Sequence, residues 1–260
     1  SNQCKPYELN KGDTDKMLSR WVERICDPAT NEGLREYKAL KRDTKAILKD
    51  FASIPMKHEK KVKVGVVGEI YIKFSPLGNN NLEDFLLDEG CEVVIPGFLD
   101  FALYCINDTL IEGKLYGGKF STKLIYKLVY WYFLNKQKDM IKAIKKHGVF
   151  RAPTAFNHTK SLAKGYVSEA MNMGEGWLLT AEMLELISQG VGNIVCTQPF
   201  GCLPNHIVGR GMMKVIKERN PQSNIVSIDY DPGATKVNQE NRIKLMLSNA
   251  KKELAKEALG

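Results

Sequence analysis

The 260-residue sequence lacks the signatures of several common protein classes. No apolar run approaches the ~20 residues of a membrane span, so we expect no contact with a membrane. The six cysteines form no C-x-x-C pair, which argues against a zinc finger and against a secreted disulfide scaffold. No Walker A loop, no G-x-S-x-G elbow and no H-E-x-x-H motif is present. The usual sequence routes to ATP hydrolysis, serine hydrolysis and zinc proteolysis are therefore excluded.

The start of the sequence also lacks features. It begins at Ser1 without an initiator methionine, and it has neither a basic n-region nor an apolar h-region. We therefore expect a tag remnant, no secretory signal and a segment of a longer protein. Because the cysteines are scattered, we predict a cytoplasmic location, where thiols stay reduced.

Charge is the next constraint, because the formal net charge is +8 at pH 7. The lysines are spread along predicted helices, as in 136–146, and no basic motif is interleaved with aromatic residues. This distribution is typical of solvated helix faces, so we predict no nucleic-acid partner. An anionic small molecule or an acidic protein remains compatible with it.

The periodicity of hydrophobic residues divides the chain into two predicted regions. Residues 1–60 read as a helical arm and linker, with a first helix capped by Asp13 or Thr14 and a second helix from about Asn31. Residues 61–260 read as an α/β domain, since short apolar runs alternate with helical segments. The predicted fold is an open parallel four-stranded sheet with flanking helices, Rossmann-like or flavodoxin-like. The predicted strands are 62–69, 91–95, 193–197 and 225–229.

The segments that connect the predicted strands allow further predictions. The glycines of the first strand, Gly65 and Gly68, lie inside the strand and do not form G-x-G-x-x-G, so we reject a dinucleotide site there. A loop is predicted for 70–81, and a single helix is predicted from Pro204 to Glu218.

The segment 192–234 is the most informative, because it places polar residues directly after two predicted strands. Gln198, Cys202 and His206 follow the third strand, and Asp229 and Asp231 end the fourth. Ligands of open parallel sheets bind beyond the carboxyl ends of the strands. The sequence therefore predicts that a site, if the chain has one, lies at this edge.

Cys202 has two interpretations. It is either a small buried hydrophobic residue, or a thiolate ligand to iron in a crevice above the sheet. Cys105, in the segment after the second strand, is expected to reach the same edge. A nucleophilic pair of Cys202 with His206 would share a helix face, but Pro204 between them disfavours that geometry.

Four motifs together resemble a known family. They are the stretches 64–71, 174–179, 198–206 and 229–233, which read VGVVGEIY, GEGWLL, QPFGCLPNH and DYDPG. They resemble the C-terminal part of large bacterial proteins related to the activases of 2-hydroxyacyl-CoA dehydratases, a part that is similar to the dehydratase subunits themselves. The likeness covers nearly the whole chain, and QPFGCLP is its most specific stretch.

The resemblance implies an α/β lyase subunit of anaerobic bacteria that holds a cysteine-bound 4Fe-4S cluster between two lobes. A separate ATP-dependent activase passes an electron to that cluster and on to an acyl-CoA thioester. On this pattern Cys202 and Cys105 match cluster-ligand positions. The predicted substrate-binding residues are Gln198, His206, Asp231 and Glu69.

The sequence also departs from that family. A second lobe and the activase ATP site are missing, so we expect the cluster in the full-length protein rather than in this segment. The predicted function is an iron–sulfur electron-acceptor domain of a larger activase-fused protein. The alternative is a non-catalytic interaction or scaffold domain without metal.

Overall fold

A computed structural model describes residues 1–27, 37–231 and 233–259, with side chains for all of these except 37–40 and 257–259. The predicted start of the second helix at Asn31 lies outside the described residues. Within them the helices are α1 (Asp13–Cys26), α2 (Tyr37–Ala52), α3 (Ile70–Phe74), α4 (Leu82–Asp88), α5 (Phe98–Leu115), α6 (Phe120–His147), α7 (Phe156–Leu162), α8 (Trp177–Ser188), α9 (Met213–Arg219) and α10 (Lys236–Leu259).

Four strands form one sheet: β1 (Lys63–Gly68), β2 (Glu92–Val94), β3 (Asn193–Pro199) and β4 (Asn224–Tyr230). They run in the order β2-β1-β3-β4, and every neighbouring pair is parallel. The predicted α/β fold with an open parallel four-stranded sheet is thus confirmed. Strand order reverses between β1 and β3, so the topological switch point lies between their carboxyl ends.

The chain divides into two compact units. The first unit comprises residues 1–60 and 135–153, and the second comprises 61–134 and 154–260, so the division falls within α6. In the first unit, Trp21 of α1 and Phe51 of α2 pack with Cys4 and Ile54 in a small apolar core.

The second unit contains the sheet, and helices cover both of its faces. One face of β1 and β3 packs with α10 through residues such as Ile243 and Leu247, and the other face packs with α8 through Met183 and Leu186. Burial of apolar side chains on both faces explains why these strands read as continuous apolar runs. Cys196 belongs to this core and is fully buried.

Three local predictions are wrong. Asp13 and Thr14 lie inside α1 rather than capping it; Gly12 precedes the helix, and the Glu8 carboxylate accepts hydrogen bonds from the amides of Gly12 (2.6 Å) and Thr14 (2.8 Å). The predicted loop 70–81 begins with α3, because Glu69 supplies its N-terminal cap.

The predicted single helix from Pro204 to Glu218 is instead a π-helical turn (Asn205–Gly209), a 3-10 turn (Arg210–Met212) and then α9. The π-helical turn packs closely against α8 and β3. The Thr180 hydroxyl donates to the Val208 carbonyl at 2.5 Å, and a Cβ on Gly209 would lie 3.5 Å from the Cys196 sulfur. Such π-helical turns are frequent at functional sites.

Candidate functional site

The carboxyl ends of β1 and β3 are held together by a glycine. Gly68 has φ +133°, and a Cβ at this position would lie 1.8 Å from the carbonyl oxygen of Thr197. The next amide, of Glu69, donates to the same oxygen at 2.9 Å. Only glycine permits this approach, so Gly68 fixes the geometry of the switch point.

Two carboxylates next to β1 bind the start of α3. Glu69 accepts from the amide of Ile72 at 2.8 Å, and Glu175 accepts from the amide of Ile70 at 2.8 Å. Glu175 is buried, and it belongs to a turn whose Gly174 lies against Pro204. Both carboxylates satisfy helix N-terminal amides, which is a stabilising use of negative charge. The structure thus places Glu69 as a helix cap, and its predicted role in substrate binding stays a prediction.

A buried ion pair lies behind these caps. The Lys73 ammonium donates to both oxygens of Glu182, at 2.9 and 3.0 Å, and both side chains are about 2% exposed. Burial raises the pKa of the Glu182 carboxyl, and the charge of Lys73 opposes that rise. Removing either partner would therefore leave the other charge buried without its ion pair.

The end of β3 carries a polar cluster of a different kind. Gln198 is fully buried, and its Nε2 donates to Oδ1 of Asp229 on β4. The same nitrogen lies 3.3 Å from Nδ1 of His206, while the other Asp229 oxygen lies 3.5 Å from Arg210. The amide oxygen of Gln198 is buried and has no hydrogen-bond partner. A buried carbonyl without a donor is a candidate contact for a bound ligand.

Cys202 lies beside this cluster, in the loop that follows β3. It is half-buried, and the side-chain amide nitrogen (Nδ2) of Asn205 donates to its sulfur at 3.3 Å. Asn205 is fully buried, and its oxygen faces the Cys196 sulfur at 3.9 Å. Since burial raises the pKa of Cys196 to about 12, that thiol stays protonated and inert. Of the two thiols in this region, Cys202 is the one that solvent reaches.

His206 is exposed, and its Nδ1 lies 2.9 Å from the backbone oxygen of Cys202. The ring therefore contacts the Cys202 carbonyl, whereas the sulfur is contacted by Asn205. This arrangement does not favour a cysteine–histidine nucleophile pair, which needs the base on the sulfur.

Two further predicted site residues, Asp231 and Cys105, have other surroundings. Asp231 accepts from the amide of Gly233 at 3.1 Å, in the turn after β4. Cys105 is exposed on α5, and partial burial, followed by the nearby charge of Asp108, raises the pKa of its thiol. A raised pKa disfavours the thiolate that metal binding requires.

A 4Fe-4S cluster is commonly held by four cysteine thiolates. Among residues 1–27, 37–231 and 233–259, no group of three or more His, Cys, Asp or Glu side chains is placed to hold a metal ion. The described residues therefore do not provide a complete ligand set.

Three residues of the site were not singled out by sequence. The sequence signal for Glu175 is its position between Gly174 and Gly176, both of which have positive φ in the turn. Asn205 and Arg210 had no signal of their own, because the predicted regular helix would have directed them elsewhere.

No protein family, no curated protein and no solved structure matches this chain. In the described part of the chain, no helix is both long enough and apolar enough to cross a bilayer.

Proposed function

We propose that the second unit is an iron–sulfur electron-acceptor domain that resembles a 2-hydroxyacyl-CoA dehydratase subunit. The observation that supports this most is the half-buried thiol of Cys202 at the switch point, with an amide hydrogen bond to its sulfur. Hydrogen bonds to the sulfurs of iron–sulfur clusters tune their reduction potential. The buried, unpartnered oxygen of Gln198 next to it offers an acceptor to a bound ligand.

The proposal assigns Cys202 as one thiolate ligand, with the remaining ligands supplied from outside the described residues. It also assigns Gln198 and His206 to the ligand-binding site, with Gln198 buried and His206 exposed. The partners it implies are an ATP-dependent activase and an acyl-CoA-type ligand, in a cytoplasmic protein longer than this segment. Any dehydratase-like lyase activity would belong to that longer protein.

The test is anaerobic reconstitution of the longer natural protein with iron and sulfide, followed by reduction and EPR. Cys202→Ala should lose the cluster signal and most of the bound iron. Cys26→Ala is the matched control, because Cys26 is an exposed thiol of the first unit. Absence of a cluster in the unmodified protein, or an unchanged signal in Cys202→Ala, would contradict the proposal.

The second candidate is a non-catalytic interaction domain without metal, and α6 favours it. This helix exposes Phe120, Leu128 and Trp131 at 80, 60 and 65% of their surface. Contiguous exposed apolar side chains are typical of protein contact surfaces. This candidate predicts an iron-free protein whose self-association, followed by light scattering, is abolished by Trp131→Asp and unaffected by Cys202→Ala.

A further inference from the structure

Arg210, which lies 3.5 Å from Asp229 of the Gln198 cluster, also lines a groove on the surface of the second unit. This groove of about 600 Å³ runs between α9, the edge strand β4 and α10, and we name it the α9–β4 groove. Its lining residues are Arg210, Met213, Lys214, Lys217, Glu218, Ile225, Val226, Ser227 and Arg242. The volume is in the range of small-molecule sites.

The groove is strongly basic. Four of its lining side chains are cationic and one is anionic. The carboxylate, Glu218, lies 3.8 Å from Lys214, and Arg210 faces Asp229. Among the residues that the structure describes, Lys217 and Arg242 have no carboxylate within ion-pair distance. Two cations are therefore left over for an anionic ligand.

A buried polar group in the floor of the groove is a second, independent indication of a ligand. Ser227 of β4 is 4% exposed, and its hydroxyl has no hydrogen-bond partner. A buried hydroxyl without a partner destabilises the fold, so its presence in a lined groove indicates a missing partner. Serine hydroxyls and backbone amides are common donors to phosphate oxygens.

The edge of β4 adds backbone donors. The amide of Asn224 donates to Gly192 beside β3. Because successive residues of a strand direct their amides to opposite sides, the amides of Ile225 and Ser227 face away from β3. Within the described residues β4 is the edge strand, so these amides lie on the groove side of the sheet.

We propose that the α9–β4 groove binds the phosphate groups of a small-molecule ligand. Lys217 and Arg242 supply the charge, the Ser227 hydroxyl donates from the floor, and Met213 and Ile225 contact the apolar part of the ligand. Arginine and lysine bind phosphate through charge-assisted hydrogen bonds, which are about twice as strong as neutral ones. The proposal does not depend on the cluster, because Cys202 does not line the groove.

The test uses pyrophosphate as the probe, titrated into the chain by calorimetry at low ionic strength. We expect binding that weakens as salt rises. Lys217→Gln and Arg242→Gln should each weaken it about tenfold, as expected for loss of a charge-assisted hydrogen bond. Lys252→Gln, which removes an exposed charge of α10 outside the groove, is the control and should leave the affinity within about twofold. No binding at millimolar pyrophosphate, or equal loss in the control, would overturn the proposal.

Ser227→Ala separates a ligand role from a structural one. Removing an unpartnered hydroxyl should keep or raise the melting temperature without ligand, while pyrophosphate binding weakens. A lower melting temperature with unchanged affinity would show that Ser227 serves the fold alone and would contradict its assignment.

Discussion

The carboxyl ends of β1 and β3 are neighbours in the sheet, yet their polar side chains are used differently. Beside β1, the carboxylates of Glu69 and Glu175 accept backbone amides, and Lys73 and Glu182 neutralise each other. Nearly every charge there already has a partner inside the protein. This end of the site holds the structure together.

At the end of β3, several polar side chains lack a partner within the protein or are open to solvent. The oxygen of Gln198 has no donor, the Cys202 sulfur is half-buried, and the His206 ring is exposed. A polar residue at a switch point therefore indicates ligand binding only when its hydrogen-bond partners within the protein are incomplete. Substitutions near β1 should damage stability, whereas substitutions near β3 should damage binding and leave stability nearly unchanged.

The largest effect is expected from Gly68→Ala. The new Cβ would meet the Thr197 carbonyl at 1.8 Å, in a conformation that L-residues rarely adopt, so β1 and β3 must separate. We expect a loss of about 5 kcal/mol or more in the free energy of unfolding, measured by urea denaturation. Gly90→Ala is the control, because Gly90 also has positive φ but open space around a Cβ, and it should cost about 1–2 kcal/mol. Equal costs for the two variants would contradict the close approach at the switch point.

Lys73→Met should be the next most damaging change. It leaves the Glu182 carboxylate buried without its partner, which costs about 3–5 kcal/mol. The double variant Lys73→Met/Glu182→Leu should recover most of the loss, since it removes the stranded charge. Additive costs in the double variant, measured by the same denaturation, would show that the two groups are not coupled.

The ion pair also predicts a pH dependence. The pKa of Glu182 in the folded chain is raised above the ordinary value of 4.5, so the folded state binds this proton more tightly than the unfolded state. Stability from this group is therefore present below 4.5 and is lost as pH rises through the folded pKa. Without the opposing charge of Lys73 the rise in the Glu182 pKa is larger, so the stability deficit of Lys73→Met should grow as the pH rises above 4.5. A constant deficit, with Lys252→Met as the exposed control, would contradict burial of this carboxylate.

Gln198→Met should change stability least. It removes a hydrogen bond to Asp229 but also removes the unpartnered buried oxygen, so the two contributions offset each other to within about 1 kcal/mol. Gln198→Glu places a second carboxylate beside Asp229 and should cost more. If Gln198→Met proved as damaging as Lys73→Met, the end of β3 would be structural as well.

The sheet was predictable because its strands are buried on both faces and read as apolar runs such as 64–67 and 194–196. Because Gln198, Cys202 and Asp229 follow or end predicted parallel strands, the sequence also predicts that they lie at the carboxyl edge of the sheet. The irregular turn after Pro204 was not predictable, since its cause is the packing of Val208 and Gly209 against α8 and β3. The hydrogen bond between Glu175 and the amide of Ile70 was not predictable either, because 105 positions separate the two residues and only the tertiary fold brings them together.

Alkylation of the native chain with iodoacetamide, followed residue by residue by mass spectrometry, tests most directly whether Cys202 belongs to a ligand site. We expect Cys202 to be modified under native conditions. Cys196, which is fully buried and whose pKa burial raises to about 12, should react only after unfolding. Equal protection of the two thiols in the folded chain would contradict this expectation, since Cys202 would then be part of the core rather than of a ligand site.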